Sequence, residues 1–562
     1  MKTSSPSSRP DTTEVPPAAP RNSWSCASAT LPAWAWMLAL LIGTSLLMQW
    51  RGLNYLSGTT LSSDKGLFAT VGWVWNQGGI PYRDAWDHKP IGVHLLSAFA
   101  LQWLSGEPAR AIWRLQWIHS LFFPVLVGTL GWLLTRAFLP ALLGTLLSGL
   151  ILYHQSLYIG GHFASEYGAS VLAVAAGVLL SAITRHHAGN LTVDQRGERL
   201  WFVTGGLCLA LATLLKEPFL LDALPLILWA VWQCAADRPH AIRLGLCVLS
   251  GALLPYALLG LYFLTQGGLL DWLSTPFYNM AYAREHARMN SEEGWILGRS
   301  AGKFWTLIVA PSTPVALLAL AGLIGACIPS HIRRTHGFAC VIPAWLLTSS
   351  LGASLGASLF HHYYMQCVVP YVLLAVSGLW MLQQHVARLP SPAGLAPAVG
   401  ALLVLGLIYA EFPGITVTPG RSDSLIYHSL RRHQYHMVRR PQEKADEYIV
   451  SRSSADDTIW VQCYKSTGMY ADVGRRPATK YVFALEHVFI NTLGSTREEK
   501  LALLARQLQA SRPRFLILED KDLNTLTFLR DANLIPWIQQ EYQATPLRRF
   551  GAVIWERRNT TP

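Results

Sequence analysis

In a chain that is 51% hydrophobic and only 14% charged, a run of ionisable side chains marks a place where chemistry can be done. The stretch PYRDAWDHKPIGVHLL gathers Tyr82, Arg83, Asp84, Asp87, His88 and Lys89 and runs straight into an apolar segment. Upstream, in LSSDKG, stands Asp64. A carboxylate at such a place can take a proton from a hydroxyl when partial burial lifts its pKa towards the working pH. A lysine such as Lys89 offers a compact positive charge for an anion, a phosphate above all. Tyr82, Asp84, Asp87 and His88 are candidates for shaping the loop or touching a substrate. Glu166, after YIGGHFAS, opens a helix, where a carboxylate either caps the N-terminus or meets an acceptor or a metal. His162, His361 and His362 fall on the same side of the expected topology, yet neither HxxxH nor Asp-x-Asp spacing accompanies them. No metal and no cofactor are therefore expected; a divalent ion would have no ligand spacing to support it.

These residues have to be positioned by a membrane scaffold. Soluble domains carry roughly 25% charged residues, so the composition, with 22 Trp and 20 Tyr and a mean hydropathy of +0.27, indicates a polytopic α-helical membrane protein. Its aromatic side chains suit both interfaces. Spans of about 20 apolar residues are expected over 32–50, 115–135, 138–154, 166–184, 200–215, 218–234, 244–265, 304–328, 338–358, 363–382 and 393–411. At Lys216-Glu217-Pro218 either two spans meet in a tight turn or one passage is broken. Residues 1–31, rich in Ser, Thr and Pro, cannot bury a core and are expected to be a disordered cytoplasmic N-terminus. The run from Leu31 to Trp50 is expected to remain as an uncleaved first helix. The transmembrane domain then covers 32–411, with external loops at 51–114 and 266–303.

With the N-terminus inside, the short inner loops hold Arg136, RHHAGNLTVDQRGER, ADRPHAIR, HIRRTH and Arg388, all basic as the positive-inside rule asks. That rule accounts for the net charge of +12, and no basic tract with interleaved aromatics points to nucleic acid. The eight cysteines show no CxxC and no paired spacing, so neither a disulfide framework nor a zinc motif is expected. In the first external loop, Leu67 to Trp75 and IGVHLLSAFALQWLSG are too short to span. They are expected to lie on the membrane as interfacial helices that hold Asp64 and Asp87-His88-Lys89 near its surface. Residues 412–562 change to the composition of a soluble domain, expected as a small α/β domain that the topology places on the outer, extracytoplasmic side. DDTIWVQC, KYVFAL, RFLILED and GAVIWERR are expected as strands and STREEKLALLARQLQASRP as an amphipathic helix. This domain has no phosphate loop, nucleophile elbow or metal motif. Its expected part is to cover the membrane domain or present something to it.

Asp64-Lys65-Gly66 followed by GGIPYRDAWDHKP resembles the lipid-linked-sugar glycosyltransferases of the GT-C superfold. The nearest likeness is to the branch of protein O-mannosyltransferases and the lipid A aminoarabinose transferase. In that branch an acid opens the first external loop and an HKPP-type motif closes it. Asp64 matches the opening acid and Asp87-His88-Lys89-Pro90 the closing motif. Two positions depart: Lys65 stands where a second acid is frequent, and Ile91 replaces the second proline. LLKEP, with Lys216, is similar to the family's lysine at the outer end of a middle helix. Glu285-His286 in YAREHARMN is similar to its EHxxR-like element, with Arg284 and Arg288 competing for the arginine. FHHYYMQCVVPYVLL is similar to its HY-bearing helix start.

The resemblance implies transfer of a sugar, hexosyl or pentosyl, from a polyprenyl-phosphate donor to a glycan, lipid or protein acceptor of the cell envelope. It implies the outer face of a bacterial inner membrane and inversion in a single displacement. Lys89, Lys216 and Arg288 or Arg284 would then hold the donor phosphate, whose departing charge needs stabilisation more than a proton. Asp64 would be the base. Tyr82, Asp84, Asp87, His88, Glu166, Glu285 and His286 would shape the loop or the substrate site. The competing reading is a transporter or flippase, which would place ionisable groups at mid-membrane between repeated halves. The charges here gather in the loops, and no repeat is evident.

Overall fold

Within lipid each backbone polar group must be satisfied inside its own segment, and the apolar runs accordingly fold as helices. The computed structural model describes residues 37–46, 63–104, 106–152, 163–187, 195–234, 238–291, 295–309, 313–355, 359–388, 444–492 and 494–558, with the single positions 35 and 61. The helices run α1 (Met37–Leu46), α2 (Ser63–Asn76), α3 (Ile91–Trp103), α4 (Pro108–Thr135), α5 (Phe138–Leu152), α6 (Phe163–His187), α7 (Gln195–Leu215), α8 (Phe219–Gln233) and α9 (Arg238–Thr265). They continue with α10 (Leu269–Ser291), α11 (Ile296–Phe304), α12 (Thr313–Gly325), α13 (Pro329–Arg334), α14 (Phe338–Leu355) and α15 (Met365–Val386).

Among the described residues six helices are long and apolar enough to cross a membrane: α4, α6, α7, α9, α14 and the one that contains α15. A seventh is added if the bent pair Ile296–Val309 and Pro314–Gly325 is one span, while α1, α3, α5 and α8 are apolar but shorter. Over 304–328, expected as one span, the two halves of the bent pair stand at 113°, and Pro314, in the first turn of the second half, has no amide to continue a helix from the first. The alternative left open at Lys216 resolves into two helices. The amide of Lys216 still bonds to Ala212 O at 3.1 Å, the amide of Phe219 to Lys216 O at 3.1 Å, and α8 returns to pack on α7. The expected span 393–411, the N-terminal 1–31, His162 and the boundary at 412 lie outside the described residues.

The centre of the bundle is α15, where every residue from Met365 to Trp380 is buried. It packs on α12, α14 and α5, and its crossing with α12 is so close that a Cβ on Gly378 would stand 2.0 Å from Leu318 O. Small residues at a crossing are how helices gain contact where lipid offers no hydrophobic drive. The connections expected on the inner side do meet on one face. His187 bonds to Gln233 at 3.1 Å and stacks on His336 at 5.0 Å, and Arg334 reaches Gln384 at 3.2 Å.

Following the membrane helices, a five-stranded sheet has the order β2-β1-β3-β5-β4. β1 (Thr458–Val461) lies parallel to β2 (Arg476–Pro477) and to β3 (Phe515–Glu519). β5 (Ala552–Arg557) is antiparallel to both β3 and β4 (Tyr542–Arg549). The expected amphipathic helix forms as α16 (Arg497–Ser511), entered through a capping box between Thr496 and Glu499. KYVFAL is not a strand, although its residues favour one. The segment is pinned instead by single bonds, from Trp460 Nε1 to Tyr481 O at 3.0 Å and from Gln462 Nε2 to Ala484 O at 3.2 Å.

One apolar core joins this domain to α2 and α3, with Phe68 and Val71 in the same cluster as Trp460, Met469 and Tyr470. The stretch expected as an interfacial helix, Leu67 to Trp75, is packed into that core. Thr70 donates to Thr467 O at 2.7 Å and Thr467 to Ser63 O at 2.9 Å. Contact is backbone to backbone, since a Cβ on Gly66 would meet Gly468 N at 2.5 Å.

Candidate active site

The loop from α2 to α3 is built to present Lys89. Tyr82 takes a left-handed conformation, φ 68°, which is unusual for a residue with a bulky side chain. The surroundings hold it there: its amide bonds to Ala85 O at 2.9 Å, its ring is buried against His94 and Phe263, and its hydroxyl donates to Lys89 O at 2.9 Å. Asp84 closes the turn by accepting from the Ile80 amide at 2.7 Å and pairing with Arg83 at 3.2 Å. Asp87 is fully buried and accepts from the His88 amide at 2.6 Å. Its two oxygens lie 3.1 Å from His88 Nδ1 and 3.3 Å from His94 Nε2. Burial works against its charge, but the bonds from His88 and His94 outweigh it and hold the carboxyl below the usual carboxylate range.

Asp64 sits half-buried in the first turn of α2 and accepts a hydrogen bond from the Tyr464 hydroxyl of the C-terminal domain. Lys89 is half-buried as well. Burial opposes its ammonium, yet Tyr363, Asp64 and Asp87 together raise its pKa above the ordinary lysine value. The two residues line one cavity of about 620 Å³ with Lys65, His88, Tyr282, Lys303, His361, His362, Tyr363, Tyr464, Phe483, Leu485 and His487. This size suits a substrate of drug-like dimensions. Aromatic rings form one flank: Tyr282 lies 5.2 Å from His88, 4.3 Å from His286 and 5.6 Å from His487. Burial, with His88, pushes the pKa of His487 down to about 4, so it meets a ligand as a neutral ring. Lys303 on α11 anchors to Leu359 O at 2.8 Å.

The remaining expected site residues stand elsewhere. Lys216 is behind the wall: it donates to Ser165 Oγ at 2.8 Å and its ammonium lies 3.5 Å from the centre of the Tyr363 ring. Burial and Lys89 push its pKa well down. Glu166 is buried in the first turn of α6. Lys65 is pushed down to about 8 by burial, with Glu166 pulling the other way. Arg284 and Arg288 are exposed on α10, and Arg288 pairs with Glu285 one turn away at 2.7 Å. The expectation that one of them reaches the donor phosphate is not met by this geometry, because their face of the helix does not line the cavity. Lys303, Tyr282, Tyr464 and His487 were not expected at all, and the C-terminal domain, assigned no chemistry from its motifs, forms a wall of the cavity. The sequence signal for Tyr464 and His487 was their place in a domain expected to cover the membrane part; nothing singled out the residues.

No protein-family model matches the chain, and a comparison with curated proteins finds no match. Solved structures do match. Over 94% of this chain and 99% of its own, the ArnT of Cupriavidus metallidurans bound to undecaprenyl phosphate superposes at a TM-score of 0.54 and 13% identity. The apo form of that protein gives 0.52 over 93% and 98%, also at 13% identity. The oligosaccharyltransferase of Archaeoglobus fulgidus, in complex with Zn and sulfate, gives 0.46 over 93% and 73% at 13% identity. The multi-pass helical domain and the C-terminal sheet together are the fold of the ArnT structures, and the chain has the GT-C fold.

Proposed function

We propose that this protein is a membrane glycosyltransferase. It moves a hexosyl or pentosyl group from a polyprenyl-phosphate-linked donor to a cell-envelope acceptor, whether lipid A, polysaccharide or protein. The observation that carries this reading is the single cavity in which a carboxylate, Asp64, and a positively held lysine, Lys89, face one space at the end of the helix bundle. The acceptor hydroxyl attacks the anomeric carbon while the bond from that carbon to the phosphate oxygen breaks. The electron pair leaves with the phosphate, where Lys89 and Lys303 balance its charge. Asp64, oriented by Tyr464, takes the hydroxyl proton. One displacement inverts the anomeric centre. A structure of the same fold holds undecaprenyl phosphate, a lipid of the class proposed as donor.

The protein is proposed to sit in a bacterial inner membrane with the cavity and C-terminal domain facing the periplasm. Support comes from the basic loops, which gather on the opposite face. Ionisable groups gathered at the two ends of the helices, rather than at mid-membrane between repeats, give a transporter reading no comparable support.

The test is transfer of radiolabelled sugar from a synthetic polyprenyl-phosphate donor by the purified full-length protein. Donor candidates come from lipid-linked sugars that accumulate in a deletion strain. Asp64→Asn is expected to lower turnover by roughly 10²–10⁴-fold with donor binding retained. Full turnover in that variant removes Asp64 as the base, and no transfer from any accumulated lipid removes the enzyme reading.

A further inference from the structure

At the end of the bundle away from the cavity, three helix ends converge on a group that the proposed reaction does not use. His186 lies in the last turn of α6, Glu198 in the first turn of α7 and His240 in the first turn of α9. His186 is 21 residues along α6 from Ser165, which bonds the lysine behind the cavity. At 1.5 Å per residue that places the group about 30 Å from the cavity end.

Nδ1 of His186 is 3.0 Å from Glu198 Oε1, and Nε2 of His240 is 3.3 Å from both Glu198 oxygens. The two imidazoles stack at 13° and 5.6 Å, and one nitrogen or oxygen from each of the three residues lies within 4.8 Å of the others. Among the described residues no other three His, Cys, Asp or Glu side chains meet in this way. Tetrahedral zinc with bonds of about 2.0–2.2 Å needs ligand atoms about 3.4 Å apart. Two of the three separations, 3.0 and 3.3 Å, lie close to that spacing, and the third is within 4.8 Å, between rings that are 22–32% exposed. Two neighbouring cations are engaged elsewhere: the Arg185 guanidinium lies over the Trp201 ring at 4.8 Å, and Arg243 donates to Pro239 O.

We infer that His186, Glu198 and His240 form a site for a divalent transition-metal ion of the zinc class, which ties the ends of α6, α7 and α9 together. Two imidazoles and one carboxylate are the ligand chemistry of zinc, not of magnesium. Three protein ligands and partial exposure leave a fourth position to water, so the ion exchanges with solution. On the orientation proposed above it faces the cytoplasm.

The experiment uses untagged full-length protein in detergent, stripped with EDTA and titrated with zinc by calorimetry and by elemental analysis after gel filtration. Wild-type protein is expected to bind one equivalent more than Glu198→Gln or His240→Ala. The loss in affinity at this site should exceed the roughly 10–100-fold typical of second-shell changes. Zinc should raise the melting temperature of the wild type more than that of the variants, and magnesium at the same concentration should not. His186→Asn provides a third ligand variant should His240→Ala fail to fold. Equal zinc stoichiometry and affinity in wild type and folded variants, or equal stabilisation by magnesium, overturns the inference.

Discussion

The loop between α2 and α3 and the turn between α7 and α8 each bring a lysine to the same end of the bundle, and they treat it in opposite ways. Lys89 is surrounded by Asp64, Asp87 and Tyr363, which outweigh burial and keep it charged. Lys216 is buried with Lys89 itself among the forces against its proton, and its amine is spent on Ser165 and the face of Tyr363. Residue type and position near a helix end are the same, while the second layer of carboxylates differs. A cation serves an anionic substrate only where the protein both stabilises its charge and leaves it facing the cavity. Lys89 meets both conditions; Lys216 meets neither.

The largest test of that contrast is Lys89→Ala. A hydrogen bond to a charged group is worth about 1.5–3 kcal/mol, so donor affinity is expected to fall roughly 10- to 150-fold. Binding of a fluorescent polyprenyl phosphate reads this directly; unchanged affinity would transfer the phosphate role to Lys303. Next comes Tyr464→Phe, which removes the donor to Asp64 across 400 positions of sequence. A roughly tenfold fall in kcat is expected, the low end for a bond to a charged group, with donor affinity kept. If affinity falls and kcat does not, Tyr464 contacts the donor instead of orienting the base. Smaller still is Lys216→Met, which keeps an unbranched apolar stem and removes a buried amine. Donor affinity should change by less than about fivefold, the worth of one neutral hydrogen bond. A loss as large as that of Lys89→Ala would erase the contrast.

What was legible in the sequence follows the same physics. Asp64 and the Tyr82–Lys89 loop stood out because ionisable residues against an apolar background are expensive and therefore conspicuous. The long helices are legible from hydropathy, which reports how apolar 304–328 is but not the bend between its two halves. Arg288 stands off the cavity wall, since a motif fixes order along a helix, not which face turns to the cavity; it pairs with Glu285, one turn away. KYVFAL has the β-favouring residues of a strand, yet it supplies Phe483 and Leu485 to the cavity wall. β-Propensity reports fit to a half-buried surface, not pairing. Tyr464 and His487 could not be found from spacing at all, since their meeting with Asp64 and His88 exists only after the C-terminal domain docks on α2. The same holds for His186, Glu198 and His240, whose two loops looked merely basic.

Lys65, next to Asp64, extends the comparison to a third lysine and gives the smallest effect. It is 6% exposed, and burial pushes its pKa down to about 8 from an ordinary 10.5, with Glu166 offsetting part of the cost. Below pH 8 both folded and unfolded chains hold the proton, and the cost of burying the charge is present in full. Between pH 8 and 10.5 the unfolded chain binds a proton that the folded protein has released, so stability rises with pH in that window. At about 1.4 kcal/mol per pKa unit the full swing is at most ~3.5 kcal/mol, or a few degrees in melting temperature. Lys65→Met removes this term but leaves Glu166 without its cation, so the absolute gap between the proteins is not diagnostic and its pH dependence is. Melting curves from pH 7 to 10.5 should show wild type gaining on Lys65→Met by that amount. Parallel curves would mean that Glu166 and the cavity hold Lys65 charged throughout, as Asp64 and Asp87 hold Lys89. That outcome would make Lys65 a third candidate for the donor phosphate.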